Sequence, residues 1–152
     1  MYPYLKDDSE EEEFNALLDI VFRLLSDREA LRERTAKKLI KIGKKAVRPL
    51  VCSIECLVAS DTPHEEIEDH DKVVGDIIFG IGEDALPDLE DFAVNEYCTF
   101  WINDFAQELL FRIKGLEGED RQKSCYHMLR MPKEKEGKKV WVCMYCDAES
   151  EK

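Results

Sequence analysis

Apolar residues recur three and four positions apart through most of the chain, the spacing that lines one face of a helix. Phe14, Leu17, Leu18, Val21, Leu24 and Leu25 make the first stripe, and Ser9 with the four glutamates after it supplies a cap and negative charge where a helix dipole is positive. Ser26 or Asp27 is placed to cap a second helix, striped by Leu31, Ala36, Leu39 and Ile40. A third, ending near Ser60, turns Val47, Leu50, Val51, Ile54, Leu57 and Val58 inward. Asp61 or Thr62 with Pro63 starts a polar stretch to Asp71 that reads as a solvated acidic helix face. Further helices are expected from about Val73 to Ile81 and from Glu83 to about Glu96. The run from Thr99 to Ile113 is the most apolar and reads as a central helix.

Within this pattern one unit is written twice. Residues 36–50, AKKLIKIGKKAVRPL, return 39 positions later as GDIIFGIGEDALPDL. In each copy a helical stripe meets an Ile-Gly pair, where glycine permits a left-handed turn that closes the helix. Ala46 and Ala85 then open a second helix, with Pro49 and Pro87 where the first turn has no use for an amide hydrogen. A fainter third copy keeps Ala106, Leu109, Leu110 and Ile113 but replaces Ile-Gly by Lys114-Gly115.

The pattern aliphatic-Gly-x-x-Ala-x-x-Pro-Leu after an amphipathic helix resembles the HEAT-like repeats of the type shared with phycobiliprotein lyases, over roughly residues 10 to 120. That resemblance implies an all-α fold, a short α-α superhelix of stacked helix pairs whose usual work is to bind other proteins. It also brings two enzyme readings, a lyase or isomerase acting on a phycobilin and a hydroxylase that holds iron through His-Glu pairs. The first needs a ligand cavity. For the second, His64, Glu65 and His70 are the available groups, one pair where several must converge.

A chain of 152 residues fits one folded domain, and its apolar runs are too short to cross a membrane. The beginning MYPYLKDDSEEEE lacks the basic flank and apolar stretch of a signal peptide, so a cytoplasmic location is expected. In that compartment six cysteines read as core residues or metal ligands rather than disulfides. Cys52 and Cys56 sit among aliphatic neighbours and read as core, and Cys98 has no basic neighbour to make it nucleophilic.

The net charge of −12 conceals a segregation. Residues 28–48 carry nine Lys and Arg against Glu29 and Glu33, residues 55–96 carry fourteen Asp and Glu against Lys72, and residues 121–139 are basic again. The basic stretches offer Arg34, Lys37, Lys38, Lys41, Lys44 and Lys45, then Lys138, Lys139 and Trp141, for another protein or nucleic acid, with Trp141 able to stack on a base.

After Gly115 the pattern changes. Val140, Trp141 and Val142 favour a strand, and Pro-Lys-Glu-Lys-Glu-Gly reads as a hairpin connection before it. Cys125, His127, Cys143 and Cys146 form C-x-H-x15-C-x2-C, which satisfies a tetrahedral structural zinc if the first pair is extended, since on a helix those two side chains would diverge. Unliganded thiols or a redox CxxC are the other readings of that pair. The expected organisation is a flexible residue 1–9 segment, a HEAT-like domain over 10–118 and a basic zinc-binding appendage over 119–152. The expected function is a non-enzymatic protein-protein interaction module, an adaptor or scaffold. Nucleic-acid association is the alternative, and a HEAT-like lyase or metal hydroxylase the next.

Overall fold

A computed structural model describes residues 8–117, 119–121, 130–143 and 149–150. Among them the chain is mostly helical, with a small antiparallel sheet near its C-terminal end. The α-helices are α1 (Asp8–Phe22), α2 (Glu29–Ile42), α3 (Val47–Ala59), α4 (His64–Ile81), α5 (Leu86–Val94) and α6 (Phe100–Lys114). The strands are β1 (Arg130–Lys135), β2 (Lys138–Cys143) and β3 (Glu149–Ser150), in that spatial order. Two compact units divide at Asp88 and Leu89, whereas the change from helix to strand falls between Lys114 and Arg130.

In the first unit α1 packs on α3, α2 on α4 and α3 on α4. The helices form because each stripe has something to cover it. Val21, Leu39, Val47, Leu50, Ile54, Val74 and Ile78 lose almost all contact with water, and each such side chain contributes roughly 1.5–3 kcal/mol of burial free energy. Phe14 and Leu18 of α1 close over Cys52, with Phe22 and Cys56 against them, so this cysteine pair packs as core.

The two copies of the repeat build the same corner. Gly43 (φ 77, ψ −136) and Gly82 (φ 80, ψ −142) cap α2 and α4, each returning its N–H to the carbonyl four residues back, Leu39 and Ile78. One 3-10 turn follows each, Gly43–Ala46 and Gly82–Ala85, before the next helix starts. The dihedrals are open only to glycine. Ala46 and Ala85 are fully buried, and the two 3-10 turns pack against each other.

Several local expectations change. Ser9 lies within helix α1 instead of capping it, and α1 gives way to a 3-10 turn over Arg23–Leu25. Helix α2 starts after Arg28, and its N-cap makes no side-chain bond; Ser26 Oγ instead accepts from the Arg28 N–H at 3.2 Å. The acidic stretch and the helix expected after it are one continuous helix, α4, because Ile67 and His70 extend its buried face by two turns. Helix α5 is shorter than expected, and α6 is capped by Thr99, whose side chain accepts from the Ile102 N–H.

In the second unit the supposed connection is itself a strand. Residues 130–135 pair antiparallel with β2, from Arg130 opposite Cys143 to Lys135 opposite Lys138. Glu136 (φ 52) and Gly137 (φ 76) make the two-residue turn, the positive φ values that tight hairpins require. Pro132 is tolerated because β1 is an edge strand. No helix among the described residues is long and apolar enough to cross a membrane.

Candidate functional site

The basic residues of the first unit gather on α2 and the corner after it. Arg34, Lys37, Lys38 and Lys41 stand at i, i+3, i+4 and i+7, one face of the helix, and all four are exposed. Leu39 and Thr35, on the opposite face, are buried and hold that orientation. Among the described residues no carboxylate lies within ion-pair distance of Lys37, Lys38, Lys41 or Lys44. Lys45 meets Glu13 of α1 at 2.9 Å, a pair exposed on both sides and so of small energetic weight.

The second copy inverts that charge. Glu83 and Asp84 occupy the corner positions of Lys44 and Lys45, on the same backbone and equally exposed. Among the described residues a part-buried ion pair joins the copies: Arg48 Nε donates to Asp88 Oδ1 at 3.0 Å. Their separation of 40 residues, one more than the repeat, was the signal in the sequence that could have found it.

The hairpin's candidates do not share a face. Residues two apart on a strand point the same way, so Lys139 and Trp141 lie on one side and Lys138 on the other. Lys139 Nζ sits 5.6 Å from the centre of the Trp141 ring, covering the surface a base would stack on. An open depression of about 390 Å³ is lined by Pro132, Lys133, Glu134, Gly137 and Lys139. Its charged walls differ from the mostly apolar lining of a small-molecule site.

Of the zinc candidates, Cys143 is buried at the end of β2. Cys125, His127 and Cys146 lie outside the described residues. Among the described residues no three His, Cys, Asp or Glu side chains gather as a metal site would need. The histidines proposed for iron part company. His64 is exposed and pairs with Glu68 at 3.1 Å, while His70, with 3 % of its surface exposed, turns into the core.

His70 is the polar group that sequence reasoning misplaced, since Asp69 and Asp71 on either side made it look solvated. Its Nε2 lies 2.8 Å from Ser53 Oγ, and that hydroxyl is 2.6 Å from the Leu50 carbonyl. The hydroxyl hydrogen goes to the carbonyl, so Oγ accepts and Nε2 donates, which places a ring hydrogen on Nε2. Burial pushes its pKa from 6.5 down to about 4. A Ser–His contact can activate a nucleophile. Here the serine is fully buried and its proton already committed, so the pair fastens α3 to α4.

In the second unit Asn103, buried in α6, donates to the Phe92 carbonyl at 2.7 Å and the Asn95 carbonyl at 3.2 Å, tying α6 to the end of α5. Arg121 lies 4.6 Å over the Phe111 ring and pairs with Glu108. Burial, and then the charge of Glu108, raise the Asp104 carboxyl above its usual range, with Arg121 opposing. Comparison with protein families, with curated proteins and with solved structures gives no match.

Proposed function

We propose that this chain is a protein-binding module, a short HEAT-like stack of helix pairs that takes an acidic segment of another protein on the exposed face of α2. The observation that carries this reading is the stripe Arg34, Lys37, Lys38 and Lys41, four cations on one helix face in a chain of net charge −12. A cationic face on a protein this acidic attracts a complementary partner. Nucleic acid is the weaker reading, because a phosphate backbone extending beyond the α2 stripe meets Glu83 and Asp84 beside the Lys44–Lys45 corner, whereas a short acidic segment can stay on the stripe.

The tail supports a structural zinc in this reading. Cys143 and Arg130 are opposite each other in the hairpin register, and β3 returns to pair with β2 at Val142. His127 is three residues from Arg130 along the chain and Cys146 three from Cys143. Three residues span at most about 10 Å, which would permit His127 and Cys146 to reach an ion held by Cys143. Zinc would there clamp a sheet too small to be stable alone.

Fluorescence anisotropy with a labelled acidic helical peptide, run beside a duplex DNA of equal charge, tests the function. The peptide should bind and lose at least tenfold in affinity, about 1.4 kcal/mol, in Lys37→Glu/Lys41→Glu. Tighter binding of the duplex, weakening steeply with salt, would hand the stripe to nucleic acid.

A further inference from the structure

We infer that the paired corners of the repeat form a self-complementary surface whose occupant is a second copy of this chain. The corner after α2 presents Lys44 and Lys45, and the corner after α4 presents Glu83 and Asp84, on backbones whose glycine dihedrals agree within a few degrees. The corners pack side by side, and all four side chains are exposed. A two-fold axis passing between them sets the basic corner of one copy on the acidic corner of the other, and makes the same contact a second time. Lys45 already meets Glu13 of its own chain, an exposed pair that can be exchanged for Glu83 or Asp84 of the partner copy.

This inference goes beyond the reading of the α2 stripe and stands without it, since it uses different side chains. Two copies of net charge −12 repel at long range. Salt near 0.15 M screens charges more than about 8 Å apart and leaves contacting pairs less affected. Association therefore has an optimum in salt: it rises as the net repulsion is screened and falls again as the corner pairs are. Built on exposed ion pairs, it is weak, with a dissociation constant on the order of 10⁻³ M.

Sedimentation equilibrium of the full chain, at concentrations from roughly 10⁻⁵ to 10⁻³ M and across salt, tests it. The wild type should dimerise with that salt optimum. Lys44→Glu/Lys45→Glu carries two acidic corners and Glu83→Lys/Asp84→Lys two basic ones, so each alone should be a monomer. Mixed one to one, they should form a heterodimer at least tenfold tighter than either variant's self-association, a gain that misfolding cannot produce. Lys37→Glu/Lys41→Glu, at net charge −16, should still dimerise, with its optimum moved to higher salt, even where it loses the acidic peptide. A wild type that stays monomeric at every salt concentration, or folded corner variants that ignore each other when mixed, overturns the inference.

Discussion

A buried histidine makes the stability of this protein depend on pH in a calculable direction. The unfolded chain takes up a proton on His70 near its ordinary 6.5, while the folded state holds the ring neutral down to about 4. The stabilisation is thus complete above pH 6.5 and is lost as pH falls through that window, by about 2 kcal/mol at pH 5 and about 3 kcal/mol in full. Urea unfolding between pH 7 and 5 should show it, and His70→Leu should flatten the dependence although it costs about 1–2 kcal/mol at pH 7. Parallel curves for the two proteins would mean that His70 is not the group being titrated. The glycines give a second contrast at this scale. A Cβ on Gly43 or Gly82 meets nothing within 4 Å, yet the backbone forbids it, so alanine at either should cost about 1–3 kcal/mol and by equal amounts, measured from the denaturation midpoints.

Helices α2 and α4 approach at Gly80, where an added Cβ would stand 2.9 Å from Ile40 Cδ1. Crowding here is cheaper than free space at the corners, because Ile40 is 39 % exposed and its tip can swing outward. Gly80→Ala alone should fall within about 0.5 kcal/mol of wild type, the gain in helix propensity offsetting the shift. In an Ile40→Val background, which removes the clashing carbon, the same change should stabilise by about 0.5–1 kcal/mol; a double-mutant cycle with no coupling would show that the helices do not meet there. The corners were legible in the sequence because a positive-φ glycine and a buried alanine leave few substitutes, so the pattern survived 39 residues away. Helix α4 was legible only in part: its first turns earn burial from Ile67 and His70 alone, and charges hid both. Strand β1 was not legible, since Pro132 and alternating Lys and Glu carry no strand signal, and its pairing is set by Val140, Trp141 and Val142 across the ladder. The cationic stripe could be read from spacing once α2 was known, whereas the Ser53–His70 bond, made between helices, could not.

At the scale of the whole molecule, charge falls in blocks along the chain and the described strands follow the helices. The helices of the first unit bury an apolar core, whereas among the described residues the C-terminal sheet has three short strands, one of them of two residues, and few apolar side chains. Val140, Trp141 and Val142 are partly buried and Cys143 fully, while most of β1 is exposed. Such a sheet calls for a staple, and the proposed tetrahedral zinc at Cys125, His127, Cys143 and Cys146 would supply one. Protein prepared without an affinity tag should therefore contain about one zinc per chain, and Cys143→Ser or Cys146→Ser should lose it. Chelation should raise amide hydrogen exchange across residues 130–143 while helical circular dichroism stays near its starting value, because the helix hydrogen bonds are made within each helix. Equal protection of the hairpin with and without chelator, in a chain that purifies free of metal, would show that Cys143 and its strand are held by packing alone.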